Sequence, residues 1–471
     1  MIELKKDNQG GPVNTPTGLR RILKFRTVVS TSTGLSYAAI SLLGCIQLSY
    51  YLPGDSGWLA ILISGLLAFL AALCFSELNS LYPTAAAIRL YMKEAISDKF
   101  SLIMTFSYIL TIVAIIAADS YIIGKAITYT LNLPNWASLV WILALLGLAM
   151  GANLRGIKIA GMLQDITTYS LLSVAIVISL IALSRNNFQL HSPFAAFSDT
   201  GNLFNAIAVG VFVFSAFEWV TPLSEEISNI KLIPRGMFIS LVLLFVSYSL
   251  FTVASSNVLN VHDASVANSP VPQLLLGNAA LGQIGIWIML LATLLTAVMT
   301  FNGGFATASR FMYAAAREDT IPQIFSRISI SHAVPYMSVV ALTIFSAVIA
   351  VIVFITGKFQ ILILVGAVLE SIIYAVAGVC VIQLRRRKPA AERSFRIWGG
   401  WAVPVATIVI FGVLAILASI ITGTSGLMTG TPLAITLLIF FLSGLYVHLI
   451  VPRLRAAAAA RRAVRTKRRP Q

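Results

Sequence analysis

The sequence predicts an all-α integral membrane protein that crosses the bilayer twelve times, and three features of the chain lead to this prediction. Of its 471 residues, 58% are hydrophobic and only 11% are charged, whereas about 25% of residues are charged in ordinary soluble domains. Twelve apolar segments approach the roughly 20 residues that a helix needs to cross the hydrocarbon core. The alternation of apolar and polar residues that is typical of a membrane β-barrel is absent from the sequence. These features exclude a water-soluble enzyme.

The apolar segments follow one another along almost the whole chain. They cover residues 25–50, 58–80, 101–128, 136–152, 162–183, 203–222, 236–258, 283–308, 335–355, 360–384, 402–421 and 431–451. The longest linker on the outer side, residues 259–282, is too short to form a catalytic or ligand-binding domain of ordinary size. Any function must therefore lie among the helices.

Basic residues predict the orientation of these spans. An even number of spans puts both termini on one side. If that side is the cytoplasm, all but three of the 33 Lys and Arg residues lie inside, and only Lys125, Arg185 and Lys358 lie outside. This bias accounts for the net charge of +16 without a nucleic-acid partner. We expect cytoplasmic segments at 1–24 and 452–471. The second is basic enough to contact anionic membrane lipid, although a solvated cytoplasmic tail is the favoured alternative.

Two spans contain residues that disfavour a continuous helix near the middle of the membrane. In the first span, hydroxyl side chains and a glycine follow one another from Ser30 to Ser36. In the sixth, Glu218 lies near mid-membrane and Pro222 follows four residues later. Because a carboxylate at that depth costs about 2.5–3.5 kcal/mol on insertion, it is expected to face a cavity or a partner.

These two spans occupy equivalent positions if the chain consists of two five-helix repeats. The first repeat would cover residues 25–183 and the second residues 203–384, with two further helices at 402–451. Inverted repeats of this kind place a ligand site at the midplane, where half-helix ends attract the carboxylate and the ammonium group of a zwitterion. The alternative is that the small residues of the first span only allow close helix packing.

Five motifs occur in a fixed order in and between these spans. They are FSELNSLYPTAA at residues 75–86, NLRGIK followed by QD at 153–165, FSAFEWVTPLSEE followed by IPR at 214–235, SRFMYAAAREDTIP at 309–322, and LRRRKP followed by FR at 384–396. Together they resemble the motifs of the amino acid-polyamine-organocation (APC) permeases, over about residues 25 to 400. The resemblance implies an inverted-repeat fold with discontinuous first and sixth helices, alternating access, and secondary transport of amino acids or related amines, without enzyme activity or a cofactor.

The resemblance also assigns substrate contact to the matched stretches of the first and sixth helices. These residues are Ser32, Thr33, Gly34, Leu35, Ser36, Phe214, Ser215, Ala216, Phe217 and Glu218. Ala216 stands where the family often has glycine, which is expected to narrow the opening in helix six. Ser170 stands where some members carry a lysine that occupies a sodium site, so the coupling ion is left open.

Three carboxylates lie within the predicted spans and are candidates for proton coupling. They are Asp119, Glu218 and Glu370. Burial in a low dielectric disfavours the charged form of a carboxylate, so protonation becomes available to it. For Asp119 the alternative is that its side chain reaches the outer surface near Lys125. Thr296 and Thr300 could supply hydroxyl ligands to sodium, although threonine in a membrane helix usually bonds to its own backbone.

The favoured function is therefore a plasma-membrane permease for an amino acid, coupled to protons or working by exchange. The first alternative is a polyamine or amine carrier in which Glu218 and Glu370 bind a cationic group. A non-transporting amino acid sensor and a membrane-embedded enzyme are less favoured, because the sequence shows neither a signalling domain nor a catalytic constellation. No metal is expected, since the three cysteines lie in apolar runs without ligand spacing.

Overall fold

The computed structural model describes residues 21–198, 200–263, 266, 269–329, 332–420 and 430–467. Most of the predicted cytoplasmic segment 1–24 and the last residues of the predicted basic tail lie outside the described residues. Within the described ranges the chain is helical, with one isolated parallel β-bridge between Leu23 and Ile227 and no sheet.

The helices follow the predicted spans closely, with several short additions. In chain order they are α1 (Phe25–Ser36), α2 (Ala39–Tyr51), α3 (Gly57–Leu81), α4 (Ile88–Ala95), α5 (Asp98–Thr130), α6 (Ala137–Leu154), α7 (Ile157–Arg185), α8 (Thr200–Phe214), α9 (Leu232–Val258), α10 (Pro272–Leu281), α11 (Gln283–Arg317), α12 (Tyr336–Thr356), α13 (Gln360–Arg387), α14 (Ala402–Ile420), α15 (Thr431–Leu449) and α16 (Val451–Lys467). Short 3-10 helices lie at Ala195–Ser198, Phe217–Leu223 and Gln323–Ser326.

The predicted all-α, twelve-span membrane fold is confirmed. Eleven helical segments of the described chain are long and apolar enough to cross a membrane, and α1 and α2, bent by 53° at their junction, together form a twelfth. The protein is therefore a multi-pass membrane protein. The division into two five-helix repeats stays a prediction.

Three helices were not expected from the sequence. α4, α10 and α16 are too short or too polar to be recognised by a search for membrane spans. α10 lies in the linker 259–282 and begins with Pro272, whose missing N–H and fixed φ suit the first turn of a helix. Several of its side chains are buried, so this linker packs into the bundle as a helix.

The first span breaks later than the sequence predicts. The serine-rich run Ser30 to Ser36 is expected to interrupt the helix, but α1 stays helical through Ser36 and the chain departs from helix at Tyr37 and Ala38. The reason is that the Tyr37 N–H still bonds to the Thr33 carbonyl (2.9 Å), while the Ala38 carbonyl starts the new helix by accepting from the Ser41 N–H (3.0 Å).

The sixth span breaks where the sequence predicts. α8 ends at Phe214, and a 3-10 helix continues the span from Phe217. This span is deeply buried: 89% of an 18-residue apolar stretch in it is buried, against 22% for the span that includes α15, and residues 27–49 of the first span are all buried. The interrupted helices therefore lie inside the bundle, whereas α15 presents most of its surface outward.

Loops that the topology predicts on one side of the membrane contact one another. At one end, Arg89, just after the second span, pairs with Glu318 at the end of α11 (2.6 Å). At the other end, the buried Asp55 carboxylate accepts hydrogen bonds from the His191 backbone N–H (2.7 Å) and the Asn257 side chain (2.9 Å). This grouping agrees with the predicted alternation of the loops between the two sides of the membrane. Which end faces the cytoplasm stays a prediction.

Candidate functional site

Two serines of α1 join it to both sides of the break in helix six. The Ser32 hydroxyl donates to the Phe217 carbonyl at 2.7 Å. One turn later, the Ser36 hydroxyl lies 3.5 Å from the Phe214 carbonyl. Both serines are buried. The side chains predicted for substrate contact thus satisfy backbone groups that the interruption of helix six frees from regular helical bonding.

The chain turns at Ala216, between α8 and the 3-10 helix. Ala216 has φ 73°, in the left-handed region that glycine adopts without penalty. A non-glycine residue there costs of the order of 1–3 kcal/mol. The turn is held because the Trp219 N–H donates to the Ala216 carbonyl (3.1 Å) and the Ser215 hydroxyl donates to the Phe212 carbonyl (2.7 Å). The alanine in place of the usual family glycine therefore keeps the break.

The other predicted residues of the first helix contact different neighbours. The Thr33 hydroxyl donates to the Ser240 hydroxyl on α9 at 3.0 Å. Gly34 allows α7 to approach so closely that a side chain at this position would overlap it. Leu35 packs over Gly303 of α11. Among the five α1 residues, only Ser32 and Ser36 are thus hydrogen-bonded to helix six in the described structure.

Two tyrosines that the sequence analysis missed, Tyr37 and Tyr248, lie at the break in the first span. The rings of Tyr37 and Tyr248 stack with centroids 4.9 Å apart, and Phe214 packs edge-on against Tyr248 at 5.5 Å. The Tyr248 hydroxyl donates to the carbonyl of Ser36, the last residue of α1 (2.6 Å). Tyr248 lies outside every recognised motif, so nothing in the sequence pattern connects it with this site.

Glu218 in the 3-10 helix and Glu370 on α13 form a buried acidic pair. Glu218 accepts hydrogen bonds from the Tyr108 hydroxyl and, at 2.8 Å, from the Tyr374 hydroxyl. Glu370 precedes Tyr374 by one turn on α13, and its carboxylate interacts electrostatically with that of Glu218. Neither Glu370 oxygen has a hydrogen-bond partner among the described residues. The Trp219 indole N–H faces both carboxylates without reaching hydrogen-bond geometry.

Asp119 lies on α5, and its completely buried carboxylate contacts the N-terminal end of α2. The alternative that its side chain reaches the outer surface is therefore wrong. Its Oδ1 accepts a hydrogen bond from the Ile40 backbone N–H at 2.8 Å. The Thr300 hydroxyl faces the carboxylate, also without hydrogen-bond geometry. Lys125, the expected partner, donates instead to the Asn135 side-chain oxygen. The helix break thus brings an acidic side chain from α5 to the N-terminus of α2.

Of the sodium-site candidates, one bonds to its own helix and another is exposed. The Thr296 hydroxyl donates to the Thr293 carbonyl of its own helix at 2.6 Å, as is common for threonine in membrane helices. Ser170 lies on an exposed part of α7. Thr300 is the candidate hydroxyl that the structure brings to the site.

The buried face of α7 holds α1 through residues two to six positions before Ser170. The Thr168 hydroxyl and the Gln164 amide donate to the Ser30 carbonyl at 3.1 and 3.4 Å. Asp165 pairs with Arg26 (3.0 Å) and accepts a hydrogen bond from the Ser30 hydroxyl. The QD motif contains Gln164 and Asp165, but a linear pattern does not say which helix they contact.

The comparison with known families identifies the chain. The model of the amino acid permease family matches residues 23–443, which is most of the sequence. The chain belongs to this family. The permease resemblance seen in the five motifs is therefore confirmed at the level of the APC superfamily, and membership of a permease family agrees with the expectation of a protein that is not an enzyme.

Individual relatives are distant. The chain is 24% identical to the rabbit (Oryctolagus cuniculus) large neutral amino acids transporter small subunit 2, with 71% of this chain and 64% of the relative covered. It is 23% identical to the branched-chain amino acid permease BcaP of Bacillus subtilis (74% and 77% covered) and 23% identical to the rat (Rattus norvegicus) b(0,+)-type amino acid transporter 1 (76% and 74% covered). The chain thus spans slightly less than two thirds of the large neutral amino acids transporter.

Proposed function

We propose that this amino acid permease carries an amino acid or a related amine across the plasma membrane by alternating access, with its termini in the cytoplasm. The relatives named above are transporters of amino acids, and the fold supplies the two interrupted helices that such a function needs. The basic residues favour the orientation.

The observation that carries this proposal is the meeting of the two interruptions deep in the bundle. At this point the Ser32 and Ser36 hydroxyls bond to the Phe217 and Phe214 carbonyls, and all four residues are buried. Hydroxyl and carbonyl groups at half-helix ends are the groups that bind small polar solutes in inverted-repeat transporters. A substrate that exchanges hydrogen bonds with these groups would part the two helices, which couples binding to movement.

The buried carboxylates support coupling to protons or exchange of a charged substrate. Asp119, Glu218 and Glu370 take part in no salt bridge in the described part of the chain. An unpaired negative charge is expensive in a low dielectric. During transport, each of these groups is therefore expected to be neutralised by a proton or by a cationic group of the substrate. Sodium is less favoured, because Thr296 bonds to its own helix.

Transport by purified protein tests this proposal. We expect proteoliposomes to accumulate at least one of labelled leucine, arginine or putrescine, and imposed pH and sodium gradients, applied separately, will identify the driving ion. Glu218→Gln is expected to reduce uptake at least tenfold while the protein remains monodisperse. The matched control, Glu392→Gln, changes an exposed glutamate in the loop after α13 and is expected to leave uptake unchanged. Uptake by Glu218→Gln at the unmodified rate would remove Glu218 from the site.

One observation favours an amine carrier as the second candidate. Two carboxylates, Glu218 and Glu370, are buried together, and Glu370 lacks a hydrogen-bond partner in the described structure. A cationic amine would supply both the charge and the donors that this pair needs. Putrescine uptake that Glu370→Gln abolishes, with leucine uptake absent throughout, would select this candidate. Binding without any transport would instead select the sensor.

A further inference from the structure

A large apolar cavity lies on the side of the bundle, at the end where α5 begins. It has a volume of about 390 Å³ and is walled by α5, α12, α15 and the end of α11 with the segment after it. Among the described residues that line it, all are apolar except Ser443 and Tyr446, whose hydroxyl donates to the Thr320 carbonyl (3.2 Å). Such a cavity does not suit the charged groups of an amino acid, so it is separate from the candidate substrate site.

The cavity opens to the hydrocarbon core of the membrane. Its lining residues Leu110 on α5, Phe345 on α12 and Leu442 on α15 are all exposed. α15 has 19 residues, about the length that crosses the hydrocarbon core, and the cavity-lining Tyr446 lies three residues before its end. The cavity therefore belongs to the half of the bilayer that the basic residues predict to be cytoplasmic. Its chemistry and its opening suit a hydrocarbon chain.

The face of α15 that lines the cavity continues beyond the membrane to an exposed arginine. The Ile450 N–H donates to the Tyr446 carbonyl (2.9 Å) and the Leu454 N–H donates to the Ile450 carbonyl (3.0 Å). The helical phase is therefore kept from α15 into α16. Arg453 follows Tyr446 by seven positions, so it lies on the same face, about 10 Å further along the helix axis. This distance reaches the layer of the lipid headgroups.

A second exposed arginine follows the part of the chain that lines the cavity after α11. Arg327 comes two positions after the cavity-lining Phe325. Neither Arg327 nor Arg453 has an ion-pair partner among the described residues. The acidic residues of the same segment, Glu318 and Asp319, already pair with arginines of α4 and α16, respectively. The unpaired charge beside the cavity is therefore positive in the described part of the chain.

We propose that this cavity is a binding site for an anionic phospholipid of the membrane. One acyl chain fills the cavity, and the lipid phosphate pairs with Arg453 and Arg327. Guanidinium groups bind phosphate by charge-assisted hydrogen bonds, and the cytoplasmic leaflet carries anionic lipid. A chain in the cavity contacts three helices, whereas a chain on the outside of one helix mostly contacts other lipids. The cavity therefore retains its lipid longer than the remaining surface of the protein does.

Native mass spectrometry of the purified protein counts the lipids that stay bound after detergent exchange. The protein is first reconstituted in vesicles of phosphatidylglycerol and phosphatidylcholine in equal amounts. Ser443→Phe fills the cavity from α15, and Val113→Phe fills it from α5 in case the first variant does not fold. Ser173→Phe is the matched control, because Ser173 lines another apolar cavity of similar size, about 320 Å³, between α7, α10 and α11.

We expect one phosphatidylglycerol molecule to stay bound to the wild type and to Ser173→Phe. Its occupancy should be at least tenfold lower in Ser443→Phe and in Val113→Phe, because the added rings take the place of the acyl chain.

The two arginines of α16 on either side of the alanine run test the headgroup. Arg453→Gln should lower the preference for phosphatidylglycerol over phosphatidylcholine about fivefold, which is the effect of one basic residue near an anionic surface. Arg461→Gln should leave the preference unchanged, because Arg461 lies about 12 Å further from the membrane along the helix. The Arg461 side chain also donates to the Ala457 carbonyl of its own helix (3.3 Å).

Several results would overturn the inference. They are a wild type that retains no phospholipid, a folded cavity-filled variant that retains it, and equal losses in Ser173→Phe and Ser443→Phe. Equal retention of the two lipids by the wild type, or an unchanged preference in Arg453→Gln, would also overturn it, because the arginines would then not select the headgroup. The measurement requires no transported solute, so its outcome is independent of the proposed transport function.

Discussion

Removing the charge of Glu226 is expected to lower the free energy of unfolding by several kcal/mol. The Glu226 carboxylate accepts three hydrogen bonds from the Arg310 guanidinium, at 2.9 to 3.2 Å, and only 1–2% of either side chain is exposed. The Glu226 backbone carbonyl also accepts from the Ile22 and Leu23 N–H groups (3.0 Å each). The pair therefore joins α11 to the segment after helix six. Glu226 is the neighbour of Ile227, whose β-bridge to Leu23 holds the start of α1.

The magnitude follows from burial. Removing one partner of a buried ion pair costs about 3–5 kcal/mol, because the other charge is left without compensation. Replacing both partners by apolar residues of similar volume is often nearly neutral. We therefore expect Glu226→Met and Arg310→Met each to lower the free energy of unfolding by about 3–5 kcal/mol. The double variant should lose much less than the sum of the two, which makes the pair strongly coupled.

Unfolding in mixed micelles of increasing sodium dodecyl sulfate, followed by tryptophan fluorescence, measures these differences. The matched control is the pair Glu94 and Lys388, whose 2.7 Å separation is as short but whose side chains are 32% and 42% exposed. Variants of this exposed pair should change stability by at most about 1 kcal/mol. Additive losses at Glu226 and Arg310, or equal losses at both pairs, would refute the reasoning that burial sets the energy.

Two further predictions concern the loops and the packing of the first span. The hydrogen bond from Lys388 holds the pKa of Glu94 below its ordinary value of 4.5. The small contribution of Glu94 to stability is therefore present above pH 4.5 and is lost as the pH falls through the lowered pKa. The free energies of unfolding of the wild type and of Glu94→Gln should become equal in acid and at high salt. Gly34→Val should reduce uptake at least tenfold, because a Cβ at Gly34 would lie 2.6 Å from the Thr168 hydroxyl. The control is Gly147→Val, at a position with open space around it, which should retain wild-type uptake in the same assay.

The spans and the break in helix six could be predicted because each depends on residues that are close in sequence. Apolar length determines a membrane span, and Glu218 and Pro222 mark the interruption within a few residues of Ala216. The break in the first span was misplaced because a run of serine and threonine is compatible with helix when its hydroxyls find partners. Ser32 and Ser36 find them in helix six, and Thr33 finds one in α9.

The contacts that define the site could not be predicted, because they join residues far apart in the chain. Asp119 and Ile40 are separated by 79 positions, Tyr108 and Glu218 by 110, and Tyr374 and Glu218 by 156. Hydrophobic periodicity indicates which face of a helix is buried but not which neighbour it meets. The same limit explains why the sequence does not indicate Tyr248. It also explains why the sequence suggests Ser170 for a buried site although its side chain is exposed.

The three intramembrane carboxylates differ in the number of hydrogen bonds that they accept from the protein, and this difference suggests different roles in transport. Asp119 receives a backbone N–H from α2, and Glu218 receives two tyrosine hydroxyls. Glu370 receives no hydrogen bond within the described residues. A group that already has donors gains less from a new one, because part of its desolvation is compensated. Glu370 therefore has the most to gain from a proton or a substrate ammonium, so Glu370→Gln should change the pH dependence of uptake more than Asp119→Asn, and the opposite order would contradict this assignment.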